Sequence, residues 1–221
     1  MRGILLRSIG AIAALLMAPG ALGATIFSQT PSATDEWCAD FSTCSHPNLA
    51  NEFTAVVSDT VDLVTWRGTQ DADVIGDDFT LYFFADNGGN PGTLLQSFAI
   101  GASDTKTSVG GAGSGTGNSP IYEYTADLGS GIALTGGTQY WLGMDNSTAG
   151  SGDLNWYWIM DYSGLSNSRR AVGLSFWVNA AGDGSADHYF ILNGSAVPVP
   201  AAVWLFGSAL GLLGWMRHKA T

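Results

Sequence analysis

Basic residues and cysteines are scarce in this chain of 221 residues, and their scarcity excludes several classes of protein. The sequence has 8 lysines and arginines against 19 aspartates and glutamates, together with 2 cysteines and 3 histidines. Four of the basic residues belong to the two tails, so four stand against all 19 acidic residues in between, a formal charge of −15. A field of this sign repels nucleic acids and anionic polymers. We therefore expect no binding of DNA or RNA.

The sequence also lacks the motifs of common catalytic sites. It contains no G-x-S-x-G elbow, no H-E-x-x-H helix and no glycine-rich phosphate loop. Carboxylate pairs such as Asp77-Asp78 occur, but pairs are expected by chance in so acidic a chain. A glycoside hydrolase needs two carboxylates that face each other across a cleft, which a sequence does not show. We therefore expect no catalytic activity. A hydrolase is the least favoured function for this sequence.

Two apolar segments, one near each end of the sequence, are candidates for insertion into a membrane. At the N-terminus, Arg2 and Arg7 precede the apolar run Ile9–Met17, and Ala21-Leu22-Gly23 supplies the small residues of a cleavage site. This pattern predicts a secretory signal peptide, residues 1–23. The alternative, a first transmembrane helix, is disfavoured because the run is short.

Near the C-terminus, residues 201–216 are uncharged and mostly apolar. Counted from Val197, a helix here would be about 30 Å long, the thickness of the hydrocarbon core of a bilayer. Arg217, His218 and Lys219 follow at once, as expected for the cytoplasmic end of a transmembrane helix. The segment is therefore either a weak permanent anchor or a temporary one.

The two cysteines, Cys38 and Cys44, lie in the part of the chain that we expect to be exported. Because that compartment is oxidising, a local disulfide between them is the favoured interpretation. A metal site or a redox motif is the alternative, but His46 is the only histidine nearby. A bridge over so short a loop would contribute about 2 kcal/mol, mainly by fixing the loop itself.

Between the tails, residues 24–195 are long enough for one domain with a sizeable core. Short segments rich in β-branched and aromatic residues follow one another, and no segment shows sustained helical periodicity. This pattern predicts an all-β fold, a β-sandwich of jelly-roll type. The predicted strands are Thr60–Trp66, Asp78–Ala85, Leu94–Ile100, Ile121–Leu128, Thr138–Met144, Leu154–Met160, Val172–Val178 and His188–Leu192.

Glycine, asparagine and aspartate mark the turns between these segments. The clearest turn signals are Asp86–Gly92 (DNGGNPG), Thr135–Gly137 (TGG) and Gly150–Asp153 (GSGD). The low-complexity segment Gly110–Ser119 indicates a flexible hairpin loop, since strand patterns continue on both sides of it.

The C-terminal segment VPVPAAVWLFGSALGLLGWMRHK resembles the PEP-CTERM sorting signal of Gram-negative bacteria, in its VPxPA variant. Residues 196–221 have its three parts in order: a proline motif, a hydrophobic helix and a basic cluster. The resemblance implies recognition by an exosortase, a membrane-embedded cysteine protease or transpeptidase that cuts close to the proline motif. The residues that carry it are Val197, Pro198, Val199, Pro200, Ala201, Arg217, His218 and Lys219.

The body of the chain is similar, more loosely, to β-sandwich modules found upstream of such sorting signals. The phrases that carry this second resemblance are DDFTLYFFADNGGNPGTLL, YEYTADLGSGIALTGGTQYWLGM, a WxW pair and HYFILNG. It implies no catalytic residues.

An acidic run, DADVIGDD, precedes the second predicted strand. Its carboxylates, Asp71, Asp73, Asp77 and Asp78, could supply oxygen ligands to Ca²⁺. The spacing does not match an EF-hand loop, and a solvated acidic turn is the favoured alternative.

Five tryptophans lie on predicted strands: Trp66, Trp141, Trp156, Trp158 and Trp177. Trp156 and Trp158 share one face of their strand, and Tyr157 and Ile159 share the other. Because both faces are apolar, we expect this strand to be covered and most of the indole rings to lie in the core. Exposed rings would instead favour stacking against sugars.

These patterns predict a non-catalytic exported protein of the cell surface or the extracellular polysaccharide matrix, held briefly in the inner membrane before an exosortase releases it. The alternative is a carbohydrate-binding module, with or without calcium. Such a module would use the loops Asp71–Asp78 and Asp86–Asn90, with Asp145, Asn146 and Asp153 beside the strands of Trp141 and Trp156.

Overall fold

The computed structural model describes residues 23–32, 35–38, 49–70, 77–113, 119–147, 156–161, 167–172, 176–179 and 186–194. Within these ranges all regular structure is β-strand, arranged in two antiparallel sheets, which confirms the predicted all-β class. In chain order the strands are β1 (Thr25–Gln29), β2 (Asp35–Cys38), β3 (Leu49–Thr54), β4 (Asp59–Gln70), β5 (Phe79–Asp86), β6 (Pro91–Gly101), β7 (Thr105–Ala112), β8 (Pro120–Leu134), β9 (Gln139–Asn146), β10 (Trp156–Asp161), β11 (Ser168–Val172), β12 (Phe176–Asn179), β13 (Asp187–His188) and β14 (Phe190–Gly194).

The first sheet is built around the long strand β4. On one side β4 pairs with β8, which pairs in turn with β7. On the other side β4 pairs with β14 over residues 61–66 and with β10 over residues 68–70. Strand β14 carries β1 as its outer neighbour, and β10 carries β2 and β13. The second sheet has the order β12-β11-β3-β9-β5-β6.

The two sheets share one hydrophobic core. Successive side chains of a strand point to opposite faces of its sheet, so one face of each sheet contributes its side chains to this core. Both sheets contribute large side chains to this core, and many of them are aromatic. The ring of Trp66 lies 5.0 Å from that of Phe79 and 5.6 Å from that of Tyr124, while Trp156 lies 5.2 Å from Phe79. These centroid distances fall in the favourable range for aromatic pairs, so the cluster joins β4, β8 and β10 to β5 of the other sheet.

Most predicted strands correspond to observed ones, and two of them are not single strands. The segment Val172–Val178 is not a single strand, because Val172 pairs with Phe176 and the chain reverses between β11 and β12. The segment His188–Leu192 is divided at Tyr189 into β13, which pairs with β10, and β14, which pairs with β4. Strands β1, β2, β3, β7 and β11 were not predicted from the sequence.

The predicted turn in Asp86–Gly92 is confirmed: Asp86 pairs with Pro91 across a hairpin. Gly88 and Gly89 there have φ values of 62° and 80°, which explains the two glycines. The turn at Thr135–Gly137 is confirmed as well, between β8 and β9. The glycine-rich segment that was predicted as a hairpin loop continues β7 as far as Ala112, which pairs with Pro120. Residues 114–118 of that segment and the whole turn predicted at Gly150–Asp153 lie outside the described residues.

The predicted signal peptide and the predicted sorting segment both lie outside the described residues. Among the residues that are described, no helix is long and apolar enough to cross a membrane.

Candidate functional site

Four of the five strand tryptophans are fully buried, which confirms that most of these rings belong to the core. Trp66, Trp141, Trp156 and Trp158 have no exposed surface, whereas Trp177 is partly exposed. The predicted parity of β10 is also confirmed, since Trp156 and Trp158 pack in the main core and Ile159 packs in a separate cluster on the opposite face. The four buried rings are therefore not available for stacking against a sugar.

The acidic run before β5 is described only at its end, and there its carboxylate is already engaged by a cation. The Oδ2 atom of Asp77 lies 3.3 Å from Nζ of Lys106, and its Oδ1 atom accepts hydrogen bonds from the amides of Gln70 and Asn146. Asp78 contributes through its backbone, which donates to Oδ1 of Asn146. Asp71 and Asp73 lie outside the described residues, so calcium binding by this run stays a prediction.

Lys106 is enclosed by partners on several sides. Besides Asp77 it donates to Oε1 of Gln70 at 3.1 Å, and its ammonium lies 4.6 Å and 5.6 Å from the ring centroids of Tyr122 and Tyr124. Carboxylate, amide oxygen and aromatic faces are all groups that stabilise a cation. Lys106 thus neutralises the carboxylate of Asp77 within the described part of the chain.

We expect Lys106→Met to lower the free energy of unfolding by about 2 kcal/mol, because it leaves a buried carboxylate without its cation. The side chain of Asp77 is only 9% exposed, so water replaces the lost ammonium poorly. Urea unfolding of the two proteins measures the change. The double variant Lys106→Met/Asp77→Asn is the control and should recover part of the loss; equal stability of Lys106→Met and the unaltered protein would show that the pair is dispensable.

The turn between β5 and β6, which contains the predicted loop Asp86–Asn90, contacts Trp141 of β9 on the outer face of the second sheet. Nε1 of Trp141 donates to Oδ1 of Asp86 at 2.8 Å. Arg169 covers the indole, with its guanidinium carbon 5.6 Å from the ring centroid, and donates to Oδ1 of Asn90 and to the carbonyl of Gly89. These polar groups satisfy one another, so the arrangement is a closed structural cluster.

Beside this cluster the same face presents partly exposed aromatic rings. Tyr82 and Phe84 are stacked with centroids 6.2 Å apart, and Trp177 packs edge-on against Phe84 at 5.5 Å. Burial, and then the charge of Asp145, raise the pKa of Tyr82 above its usual value. The phenol therefore stays protonated and able to donate a hydrogen bond. Of the three polar residues predicted beside these strands, Asp145 lies near this surface, as its effect on Tyr82 shows. Asn146 instead donates a hydrogen bond to Asp77, and Asp153 lies outside the described residues.

The outer face of the first sheet holds a charged pair that sequence reasoning missed. Arg67 and Glu123 are direct neighbours on β4 and β8, and Nε and Nη2 of Arg67 donate to Oε2 of Glu123 at 3.0 and 2.9 Å. The hydroxyl of Tyr189 donates to the same oxygen at 3.3 Å, and the Arg67 guanidinium lies 4.1 Å from the Tyr189 ring centroid. Burial raises the pKa of Tyr189, which keeps this hydroxyl protonated.

A cavity of about 150 Å³ opens beside this pair. Its wall is mainly aliphatic and backbone, and the guanidinium of Arg67 supplies its charge. The lining consists of Pro31, Ser32, Arg67, Val109, Gly110, Gly111, Ile121, Ile159 and Tyr189. No sequence signal marks this site, because its residues come from six separate segments of the chain.

His188 lies in the interior, where it is fully buried, and its ring centroid is 4.5 Å from that of Trp158. Within the described part of the chain neither ring nitrogen has a hydrogen-bond partner. Burial lowers the pKa of His188 from 6.5 to about 3. The imidazole is therefore neutral and shielded from solvent, which does not suit a general acid or base.

Several predicted site residues lie outside the described residues. Cys38 ends β2, but Cys44 is not described; no disulfide occurs among the described residues, and the Cys38–Cys44 bridge stays a prediction. The residues of the predicted sorting motif, 197–201 and 217–219, are likewise outside. The described ranges contain no group of three or more histidine, cysteine or acidic side chains able to hold a metal ion.

Comparison with known proteins gives weak structural similarity and no match in sequence. No protein-family model matches the chain, and no curated protein matches it. Among solved structures, it is similar to the crystal structure of the cysteine protease and lectin-like domains of Cwp84, a surface layer associated protein of Clostridium difficile, at 15% identity and a TM-score of 0.43. The match covers 67% of this chain and 32% of that one.

Proposed function

We propose that this protein is a non-catalytic exported protein of the cell surface or extracellular matrix, sorted by an exosortase and associated with exopolysaccharide or biofilm. The observation that carries the proposal is the C-terminal layout: the motif Val197–Ala201, the apolar segment to Met216 and the basic cluster Arg217–Lys219, paired with a signal peptide at the other end. In this proposal the body is a jelly-roll-like sandwich and the C-terminal helix is a temporary anchor in the inner membrane.

The ends of the described body support this role. Thr25 pairs with Asn193, and the backbone of Gly194 donates to the carbonyl of Ala24 at 2.8 Å. The points at which the signal peptide and the sorting segment join the body are therefore adjacent. Strand β14 also supplies Phe190 and Leu192 to the core, so a cut beyond Gly194 spares the fold and a cut before it does not.

The charge distribution supports a role without anionic partners. Of the four basic residues in the body, Arg67, Lys106 and Arg169 have described side chains, and each binds groups of the protein itself. The sequence carries 19 acidic residues against these few cations, and such an excess keeps an exported protein soluble and repels acidic polymers that approach it directly. A neutral or cation-bridged polysaccharide is the more suitable neighbour.

The second candidate function is a carbohydrate-binding module, with or without calcium. It is favoured by the partly exposed rings of Tyr82, Phe84 and Trp177 and by the cavity on the opposite sheet. An aliphatic or aromatic wall next to a few polar groups is typical of small-ligand sites.

Processing by an exosortase is the test of the first candidate. We expect the unaltered protein, produced in a host with an active exosortase, to leave the membrane fraction without its C-terminal segment. A variant with Pro198→Ala and Pro200→Ala is the matched control and should stay in the membrane at full C-terminal length, because the apolar helix is intact but the recognition motif is not. Equal release of both proteins would contradict sorting through this motif.

A further inference from the structure

The cavity on the outer face of the first sheet combines two kinds of surface. On one side lie the aliphatic side chains of Val109, Ile121 and Ile159, and on the other lies the guanidinium of Arg67 with Glu123 beside it. Ile121, Ile159 and Tyr189 form a small buried cluster of their own, so the apolar wall is held in place before any ligand arrives. A ligand that fits must be apolar on one face and polar at its edge.

The charged pair has one unused group at each end. Among the described residues, the three hydrogen bonds to the Glu123 carboxylate all go to Oε2, and the Arg67 guanidinium donates through Nε and Nη2. Among the described residues Oε1 of Glu123 and Nη1 of Arg67 have no hydrogen-bond partner, and each side chain is 32% exposed. A donor of Arg67 and an acceptor of Glu123 therefore remain for a ligand, and the salt bridge and the Tyr189 hydroxyl fix the positions of the two side chains.

This combination selects a neutral ligand. The charges of Arg67 and Glu123 cancel, so a charged ligand would gain no net attraction from the pair, and the body's charge of −15 disfavours anions. A sugar ring presents C–H groups on one face, and two adjacent hydroxyls can donate to Oε1 and accept from Nη1. The volume of about 150 Å³ is below the usual range of drug-sized sites, which limits the ligand to a single ring.

We propose that this cavity binds one ring of a neutral polysaccharide. Val109, Ile121, Ile159 and the free Nη1 donor of Arg67 hold the ring from the cavity wall, and Oε1 of Glu123, which pairs with Arg67 but does not line the cavity, accepts from a hydroxyl that projects beyond the wall. This inference rests on the second candidate function and places its site away from the predicted acidic loops. The outer face of the second sheet suits the role less well, because Trp141 is buried and Arg169 is occupied by Gly89 and Asn90.

The test is a titration of the exported protein with neutral hexoses and their methyl glycosides, followed by heteronuclear NMR, with glucuronic acid as the charged comparison. We expect saturable shifts at the amides of β7, β8 and β10 for a neutral sugar and none for glucuronic acid. Val109→Trp should fill the cavity and weaken binding at least tenfold. Leu63→Trp is the matched control, since Leu63 is 38% exposed against 39% for Val109 and points out from β4 of the same sheet without lining the cavity.

A second variant tests the proposal even if Val109→Trp does not fold. Arg67→Lys retains the positive charge but not the fixed fork of donors, and we expect it to weaken binding severalfold without changing the melting temperature by more than a few degrees. Absence of shifts with every neutral sugar at tens of millimolar, or equal affinity of Val109→Trp and Leu63→Trp, would overturn the proposal. Exosortase processing is read from the mass of the protein, so that result is independent of this one.

Discussion

Replacement of Gly68 by alanine is expected to destabilise the protein by about 3 kcal/mol, because a methyl group there has no space. Gly68 lies on β4 directly beneath the indole of Trp156, and an added Cβ would overlap Cζ2, Cε2 and Nε1 of that ring. The indole cannot move aside, since it is fully buried and packs against Phe79 and Tyr124. Urea unfolding at neutral pH measures the loss.

Gly143→Ala is the matched control, since Gly143 also lies inside a strand. There an added Cβ would come within 3.0 Å of Cε2 of Phe84, on a face where that ring is only partly buried and can shift. We expect a loss of about 1 kcal/mol or less. Adding Trp156→Phe to Gly68→Ala should recover at least 1 kcal/mol relative to the sum of the single changes, since the smaller ring leaves room for the methyl group. Additive losses would show that the clash with Trp156 is not the cause.

The second large effect is a loss of stability in acid that His188 causes. Burial holds the pKa of His188 at about 3 in the folded protein, whereas 6.5 is the ordinary value that the unfolded chain regains. The unfolded state therefore binds a proton that the folded state does not. The stability that His188 contributes is complete above pH 6.5 and falls by up to about 1.4 kcal/mol per pH unit as the pH drops from 6.5 towards 3.

Between pH 7 and pH 5 this linkage amounts to about 2 kcal/mol. Carboxylates also titrate in acid, so the informative quantity is the difference in pH dependence between the unaltered protein and His188→Phe. Phenylalanine keeps a ring against Trp158 and has no proton to bind. We expect the variant to lose about 2 kcal/mol less than the unaltered protein over this interval, as measured by urea unfolding at each pH. Parallel pH profiles would contradict a neutral, buried His188.

The parts of the fold that the sequence predicts are those in which local chemistry determines the structure. The parity of Trp156 and Trp158 follows from the two-residue repeat of a strand, and both rings are in the core. The sequence DNGGNPG forms the hairpin between β5 and β6 because two consecutive residues there need positive φ values.

The errors arise where a strand lacks that local signal. Strand β7 (TKTSVGGA) is exposed on both faces, so it shows no alternation of apolar and polar residues. Strand β3 carries Asn51 at a fully buried position, where its amide donates to the carbonyls of Asn167 and Ala186. Those partners are more than 100 residues away in the sequence, and a buried asparagine cannot be distinguished from a loop asparagine without them.

The candidate site could not be predicted for a similar reason. Arg67 and Glu123 are separated by 56 residues, and only the register of β4 on β8 makes them neighbours. For Asp77 the sequence indicates one partner of the pair but not the other. Its carboxylate belongs to an acidic run that is recognisable in the sequence, whereas the lysine that neutralises it comes from β7. Composition predicts a neutral partner for so acidic a body, whereas the place where such a partner fits depends on strand pairing.

The intact mass of the protein recovered from a host with an active exosortase tests the central proposal most directly. The account predicts a mature chain that begins near Ala24 and ends close to the proline motif at Pro198–Pro200, without the segment from about Ala201 onward. It also predicts a mass that corresponds to one disulfide between Cys38 and Cys44, because both cysteines are then in an oxidising compartment. Recovery of only full-length chain embedded in the membrane would contradict the account.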